Sequence, residues 1–196
     1  MGGIKTIKNY SKKKPTFYKE RDELKRTVFT KKLAQCDPDK LVYIDKSGID
    51  KFISREYGWG NRGLKIIGEV SGKRYARESF IAGQLNGKTI APFCYTGTCD
   101  SRLFNFWLEN FLLPSLGSGY TLIMDNAAFH KSEHTKILIE KAGCRLLFLP
   151  PYSPDLNPIE KFWANLKVRV KKIITGFSTL AEAVHAAFRT DQLNFK

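Results

Sequence analysis

What the chain is short of narrows its reading first. It has only four cysteines in 196 residues, Cys36, Cys94, Cys99 and Cys144, and no two form a Cys-x-x-Cys pair. That spacing argues against a disulfide framework and against a cysteine-based zinc site. Histidine is scarce too. His130 and His134 stand four apart, but Lys131 follows His130 where the His-Glu-x-x-His zinc motif needs a glutamate. No secretory leader precedes the cysteines, so a reduced cytoplasmic setting is expected. No apolar run reaches the roughly 18–20 residues that a membrane span requires, so no membrane partner is expected. Acids are the last shortage: 19 Asp and Glu face 33 Lys and Arg, a formal net charge of +14. Such an excess favours a polyanionic partner, nucleic acid before membrane. The plainer alternative is a merely soluble basic protein.

The residues that are present describe a globular chain. A hydrophobic fraction of 42% over 196 residues suits one domain with a sizeable core. Residues 1–40 stand apart as a basic linker and helix, with Lys12-Lys13-Lys14 at their head and a charged helix expected from about Tyr18 to Leu33. The folded domain, residues 41–196, opens on the apolar run Leu41-Val42-Tyr43-Ile44. A Gly-rich aromatic loop at Tyr57-Gly58-Trp59-Gly60 precedes strand-like stretches at Leu64–Val70, Arg74–Gln84 and Thr89–Tyr95. Turns at Ser71-Gly72 and Asn86-Gly87 separate them, and Asn-Gly between apolar stretches is a strong hairpin signal. A helix is expected from Asp100 to Leu113, a doubly buried strand over Tyr120–Met124, and a helix over Ser132–Ala142. A strand over Arg145–Leu149 and helices over Pro158–Ile174 and Thr179–Arg189 complete the order. Antiparallel strands followed by alternating helices and strands predict an α/β fold: a ribonuclease H-like mixed sheet flanked by helices.

Three carboxylates occupy telling places in that order. Asp45 closes the run Leu41–Ile44, and Asp125 closes Leu122-Ile123-Met124. Glu160 lies in the first turn of the helix that follows Leu149-Pro150-Pro151-Tyr152-Ser153-Pro154. Three acids brought together repel one another unless a divalent cation joins them. Hard cations such as Mg²⁺ prefer carboxylate oxygen and keep waters for a phosphate substrate. Two such ions can serve the attacking and leaving oxygens of an in-line phosphoryl transfer.

Each acid also has an ordinary reading. With Asn157 as N-cap, Glu160 falls at the capping-box position and needs no catalytic role. Asp125 can be a turn residue, although Asn126 and His130 follow it in a loop dense in polar handles. His130 is suited to contacting a phosphate or orienting a carboxylate, or to being a plain loop histidine. Asp45 competes with Asp50 and is preferred because it directly ends the apolar run. Asp155, after Pro154, reads as a turn residue. Lys161, Lys167, Arg169, Lys171 and Lys172 either track a nucleic-acid backbone or form a solvated helix face. Ile159, Phe162, Trp163, Leu166, Val170 and Ile173 form the apolar stripe of the same helix.

Two of these blocks carry a resemblance. Asp125-Asn-Ala-Ala-Phe-His130 and Leu149-Pro-Pro-Tyr-Ser-Pro-Asp-Leu-Asn-Pro-Ile-Glu160 resemble the hallmark segments of DDE transposases. The mariner-like superfamily and its bacterial insertion-sequence relatives are the nearest likeness. The 34 residues between Asp125 and Glu160 match the spacing such enzymes show. The resemblance runs from about Tyr18 to Arg189; its last block is highly specific, and Ile44-Asp45-Lys46-Ser47-Gly48 less so. It implies Asp45, Asp125 and Glu160 as ligands of two Mg²⁺ or Mn²⁺ ions. It also implies double-stranded DNA as substrate, both element terminal inverted repeats and target, and a homo-oligomer assembled on it. The implied reaction is strand cleavage followed by strand transfer, in a bacterial cytoplasm beside the nucleoid.

The chain departs from the pattern twice. Lys46 stands where relatives often carry an acid after the first Asp, which predicts retained metal binding with altered affinity. Residues 1–40 look like the end of a helix-turn-helix region and a linker, so a truncated copy or a second reading frame is expected. The alternative function is a non-catalytic DNA-binding regulator of transposition, which the intact triad speaks against.

Overall fold

The computed structural model describes residues 18–50, 77–127, 130 and 132–193. The Lys12–Lys14 run, the Tyr57–Gly60 loop, the Leu64–Val70 strand and the Ser71-Gly72 turn lie outside them. Five strands form one mixed sheet in the order β3-β2-β1-β4-β5. Strand β1 (Leu41–Asp50) is its axis. On one side β1 pairs antiparallel with β2 (Arg77–Leu85), which pairs antiparallel with β3 (Lys88–Tyr95). On the other side it pairs parallel with β4 (Thr121–Met124), which pairs parallel with β5 (Arg145–Phe148). The β2–β3 hairpin turns on Asn86-Gly87 at φ 49° and 76°. Those left-handed values match strand twist, and Asn and Gly adopt them at least cost.

Alternation along β1 builds two cores. Val42 and Ile44 point to the face covered by α2 (Ser101–Trp107) and α3 (Glu133–Lys141), where Phe104, Trp107, Leu108, Leu112 and Ile139 are buried. Ile49, with Phe80 and Ala82 of β2, points to α4 (Ile159–Ile173) and α5 (Leu180–Leu193). Beyond α4 on that face, Ile123 and Leu149 meet Phe29 of α1 (Glu23–Leu33). Gly83 is a close approach: a Cβ there would lie 3.0–3.1 Å from side-chain atoms of Ile90, Leu112 and Val42, so a larger residue would force those neighbours to move.

Three expectations need correction. The helix expected from Tyr18 begins at Glu23, because Asp22 accepts a hydrogen bond from the Lys25 N–H at 3.0 Å and caps it. The helix expected over Asp100–Leu113 leaves α geometry at Trp107 and widens into a π-turn over Leu108–Leu112 before Pro114 breaks it. Asp45 does not end its strand. Pairing with β2 carries β1 on to Asp50, while pairing with β4 stops at Ile44–Met124. β4 has only four residues, so β1 outruns it on that side alone.

Candidate active site

That unequal pairing creates the site. Ile44 and Met124 are partners in parallel strands, so the next residue of each chain is an acid, Asp45 and Asp125. Neighbouring strands lie about 4.8 Å apart. At Asp125 the chain turns out of the sheet: the Ala127 N–H donates to its carboxylate at 3.2 Å. Asp45 therefore has sheet on its β2 flank and an opening on its β4 flank.

The loop after Asp125 folds back on it. His130 is 2% exposed, lies 4.4 Å from the Phe104 ring centroid, and places Nδ1 2.7 Å from the Asp125 carboxylate. The carboxylate can only accept, so Nδ1 carries the proton and donates. Burial opposes the charge on Asp125. The His130 hydrogen bond, its electrostatic attraction and the Ala127 N–H outweigh burial and hold the carboxyl below its ordinary range. Of the roles open to His130, the contact in this geometry is the one to a carboxylate.

Asp45 is perturbed in the opposite direction. Burial first, then the negative charge of Glu160, raises its pKa to about 7, and Asp125 adds to the rise. The Lys46 N–H and the Trp163 indole offset part of it. Asp45 therefore senses both other acids across the opening. Among the described residues, no group of three or more His, Cys, Asp or Glu is already closed into a metal-ready cluster.

Glu160 comes from α4, whose amphipathic stripe places it. Ile159, Phe162, Trp163, Leu166 and Val170 are buried against the sheet, and Glu160 stays exposed at the border. The capping alternative fails here. Pro158, not Asn157, holds the cap position, and no side chain caps the helix. A short turn over Pro154–Leu156 ends at Asn157, and its carbonyl takes the Glu160 N–H at 3.2 Å. The Glu160 carboxylate is thus left available. The loop leading to it is pinned at Asp155, which forms a two-pronged pair with Arg26 of α1 at 3.0 and 2.7 Å. Asp155 thereby tethers the loop to α1. Asp50, the rival of Asp45, pairs with Arg77 at 3.4 Å on the surface.

The other named positions separate. Asn126 is exposed and borders a groove against α1. Lys161, Asn165 and Lys172 line a groove of about 680 Å³ with Tyr43, Gln84 and Asn86. Arg169 borders this groove too, but it donates to the Ala187 carbonyl of α5 at 3.1 Å, tying two helices together. Lys167 is half-buried. One contact was missed altogether: the Trp163 Nε1–H donates to the Asp45 carboxylate at 2.9 Å. The helical stripe marked Trp163 as core. The only signal for more was an indole one turn after an acid.

With this geometry in hand, comparison with known proteins is direct. Residues 40–181 match the family model of the DDE superfamily endonuclease. The chain belongs to that family. It is 29% identical over 149 residues to the Tcb1 transposase of Caenorhabditis briggsae, covering 67% of this chain and 52% of that protein. It is likewise 29% identical over 157 residues to the uncharacterized 39 kDa protein of insertion element IS630 from Shigella sonnei, covering 74% of this chain and 43% of that one. The chain spans about half the length of the curated relatives it matches. Its fold is that of the Mos1 pre-cleavage transpososome, with a TM-score of 0.63 at 13% identity over 97% of this chain and 69% of that one. A Mos1 paired-end complex with Mg gives a TM-score of 0.59 at 13% identity, over 96% of this chain and 65% of that one.

Proposed function

We propose that this chain is the catalytic domain of a cut-and-paste DNA transposase. It cleaves a strand at the element end by hydrolysis and joins the freed 3′ hydroxyl to target DNA. The observation that carries the reading is the Ile44–Met124 pairing, which sets Asp45 beside Asp125 with Glu160 near enough to raise the Asp45 pKa. Family membership and the transposase relatives support it.

The donor set suits Mg²⁺ or Mn²⁺: three carboxylates of hard oxygen, one of them, Asp45, raised to a pKa of about 7 by burial first and then by the charge of Glu160 and Asp125. Asp45, Asp125 and Glu160 would hold the metal, two ions in this reading. When bound, divalent cations supply charge stabilisation at the attacking and leaving oxygens of phosphoryl transfer. The chain's own residues do the rest. His130 fixes the direction of Asp125, β1 and β2 hold Asp45 rigid, and the proline-bound loop delivers Glu160. Lys161 and Lys172 offer charge to a DNA backbone. A homo-oligomer on DNA and a bacterial nucleoid setting accompany the reading, in keeping with the Mos1 complexes and the IS630 relative.

The test is nicking of supercoiled plasmid with Mg²⁺ or with EDTA, alongside thermal unfolding. Asp125→Asn and Glu160→Gln are expected to reduce nicking to background. Glu160→Ala should cost no more than about 0.5 kcal/mol of stability, as at an ordinary surface position, since it caps nothing. Nicking at the wild-type rate by Asp125→Asn would overturn the assignment.

A further inference from the structure

The contact between Trp163 and Asp45 joins two elements that the reaction needs in fixed relation. Trp163 is on α4, three residues after Glu160, so the two side chains are neighbours on one helix face. Asp45 is on β1, in the sheet that α4 packs against. The indole joins the two layers with a 2.9 Å hydrogen bond. It is itself immobilised: Trp163 is 1% exposed, with Phe162 at 4.9 Å, Phe80 of β2 at 5.1 Å and Phe188 of α5 at 6.5 Å between ring centroids. Phe80 and Ala82 lie on the same face of β2 as their partners Ser47 and Asp45 on β1. The aromatic cluster thus sets where the indole N–H points. An indole donates and never accepts, so it has one useful partner here, a carboxylate oxygen.

We propose that Trp163 is a positioning residue of this site. It holds one oxygen of Asp45 and leaves the other turned to the opening beside Asp125, and it fixes α4, and with it Glu160, at a set height above β1. This rests on the reading of Asp45 as a metal ligand. Partners that orient a ligating carboxylate typically change metal affinity or activity about 10- to 100-fold when removed. Packing alone would give Trp163 no such influence.

The experiment uses the full chain. In metal-free protein, the indole N–H resonance of Trp163 is expected to shift upfield on Asp45→Ala. That of Trp107 is the internal control, since it donates to the Ala91 carbonyl at 2.8 Å and is expected to stay in place. Trp163→Phe keeps an aromatic ring in the cluster and removes the donor. Its Mn²⁺ half-saturation, read from the free-ion paramagnetic signal, should rise about 10- to 100-fold. Partial unfolding would by itself raise that midpoint by the inverse of the folded fraction, so it is read at a temperature where thermal unfolding shows the variant fully folded. A Trp163 resonance unmoved by Asp45→Ala overturns the proposal even if Trp163→Phe fails to fold. An unchanged Mn²⁺ midpoint in folded Trp163→Phe also overturns it, while the transposase reading survives if Asp45→Ala is inactive in nicking. Wild-type nicking by Asp45→Ala removes both.

Discussion

Asp45 carries its charge against the preference of its surroundings, and that has a measurable sign. Its folded pKa, about 7, lies above its ordinary value of 3.8. The metal-free fold therefore favours the protonated form. The resulting stability is full below about pH 4 and is lost as pH rises toward 7. Asp125, Asp155 and Asp22 are lowered, so they act in the opposite sense and only below 3.8. Calorimetry in EDTA should show Tm falling between pH 4 and 7, and Asp45→Asn should flatten that fall. A cation reverses the preference: binding expels the proton, so Mn²⁺ affinity should climb over the same interval. At this scale the sequence named the three acids, yet it left each with an ordinary alternative. Neighbourhood bears on some of those alternatives: Arg77 pairs with Asp50, Arg26 with Asp155, and Pro158 holds the cap position of α4, while Asp125 also makes the turn bond to the Ala127 N–H. Neither arginine pairing has a local signature.

Among the elements, α4 was readable together with its buried face, and α1 only as a helix ending at Leu33. The stripe Ile159, Phe162, Trp163, Leu166, Val170 and Ile173 predicts the buried face of α4; the first five are buried and Ile173 is partly buried. Helix α1 has one buried residue, Phe29, so periodicity could not say where it rests. Its place is set by Arg26, whose guanidinium grips Asp155 across 129 residues of sequence. Arg26 holds Asp155 below the ordinary carboxylate range through that hydrogen bond. Arg26→Ala is expected to cost about 1 kcal/mol, the upper end for an exposed pair with good geometry. Hydrogen exchange should quicken in α1 and around Asp155 and leave β1–β3 unchanged. Strand β1 was misjudged for a related reason. Apolar alternation ends at Ile44, but backbone pairing with β2 continues, and that pairing depends on residues far along the chain.

At the scale of the molecule, the charge of +14 has no complete base-reading element beside it among the described residues. Phosphate contacts position a protein without reading sequence. Binding to duplex DNA should therefore fall steeply with salt, with a log–log slope of about −0.9 for each phosphate neutralised. The preference for element ends over random duplex should stay below roughly 10³-fold, the lower bound of ordinary specific recognition. Fluorescence anisotropy at several salt concentrations measures both. A larger preference would reveal a reader in this chain. Composition made the polyanion legible; the groove beside Lys161 and Lys172 emerged only when α4 lay across the β2–β3 turn.

The unequal flanks of β1 also imply an order in time. The Asp50–Arg77 end of the β1–β2 ladder closes over 27 residues, whereas the Ile44–Met124 pairing must bridge roughly three times that span, which makes it the slower closure. The acids meet only when the second pairing forms. A refolding chain should regain its β1–β2–β3 strands before it gains any grip on Mn²⁺. The interval between those two signals, followed by stopped flow, would clock the assembly of the site.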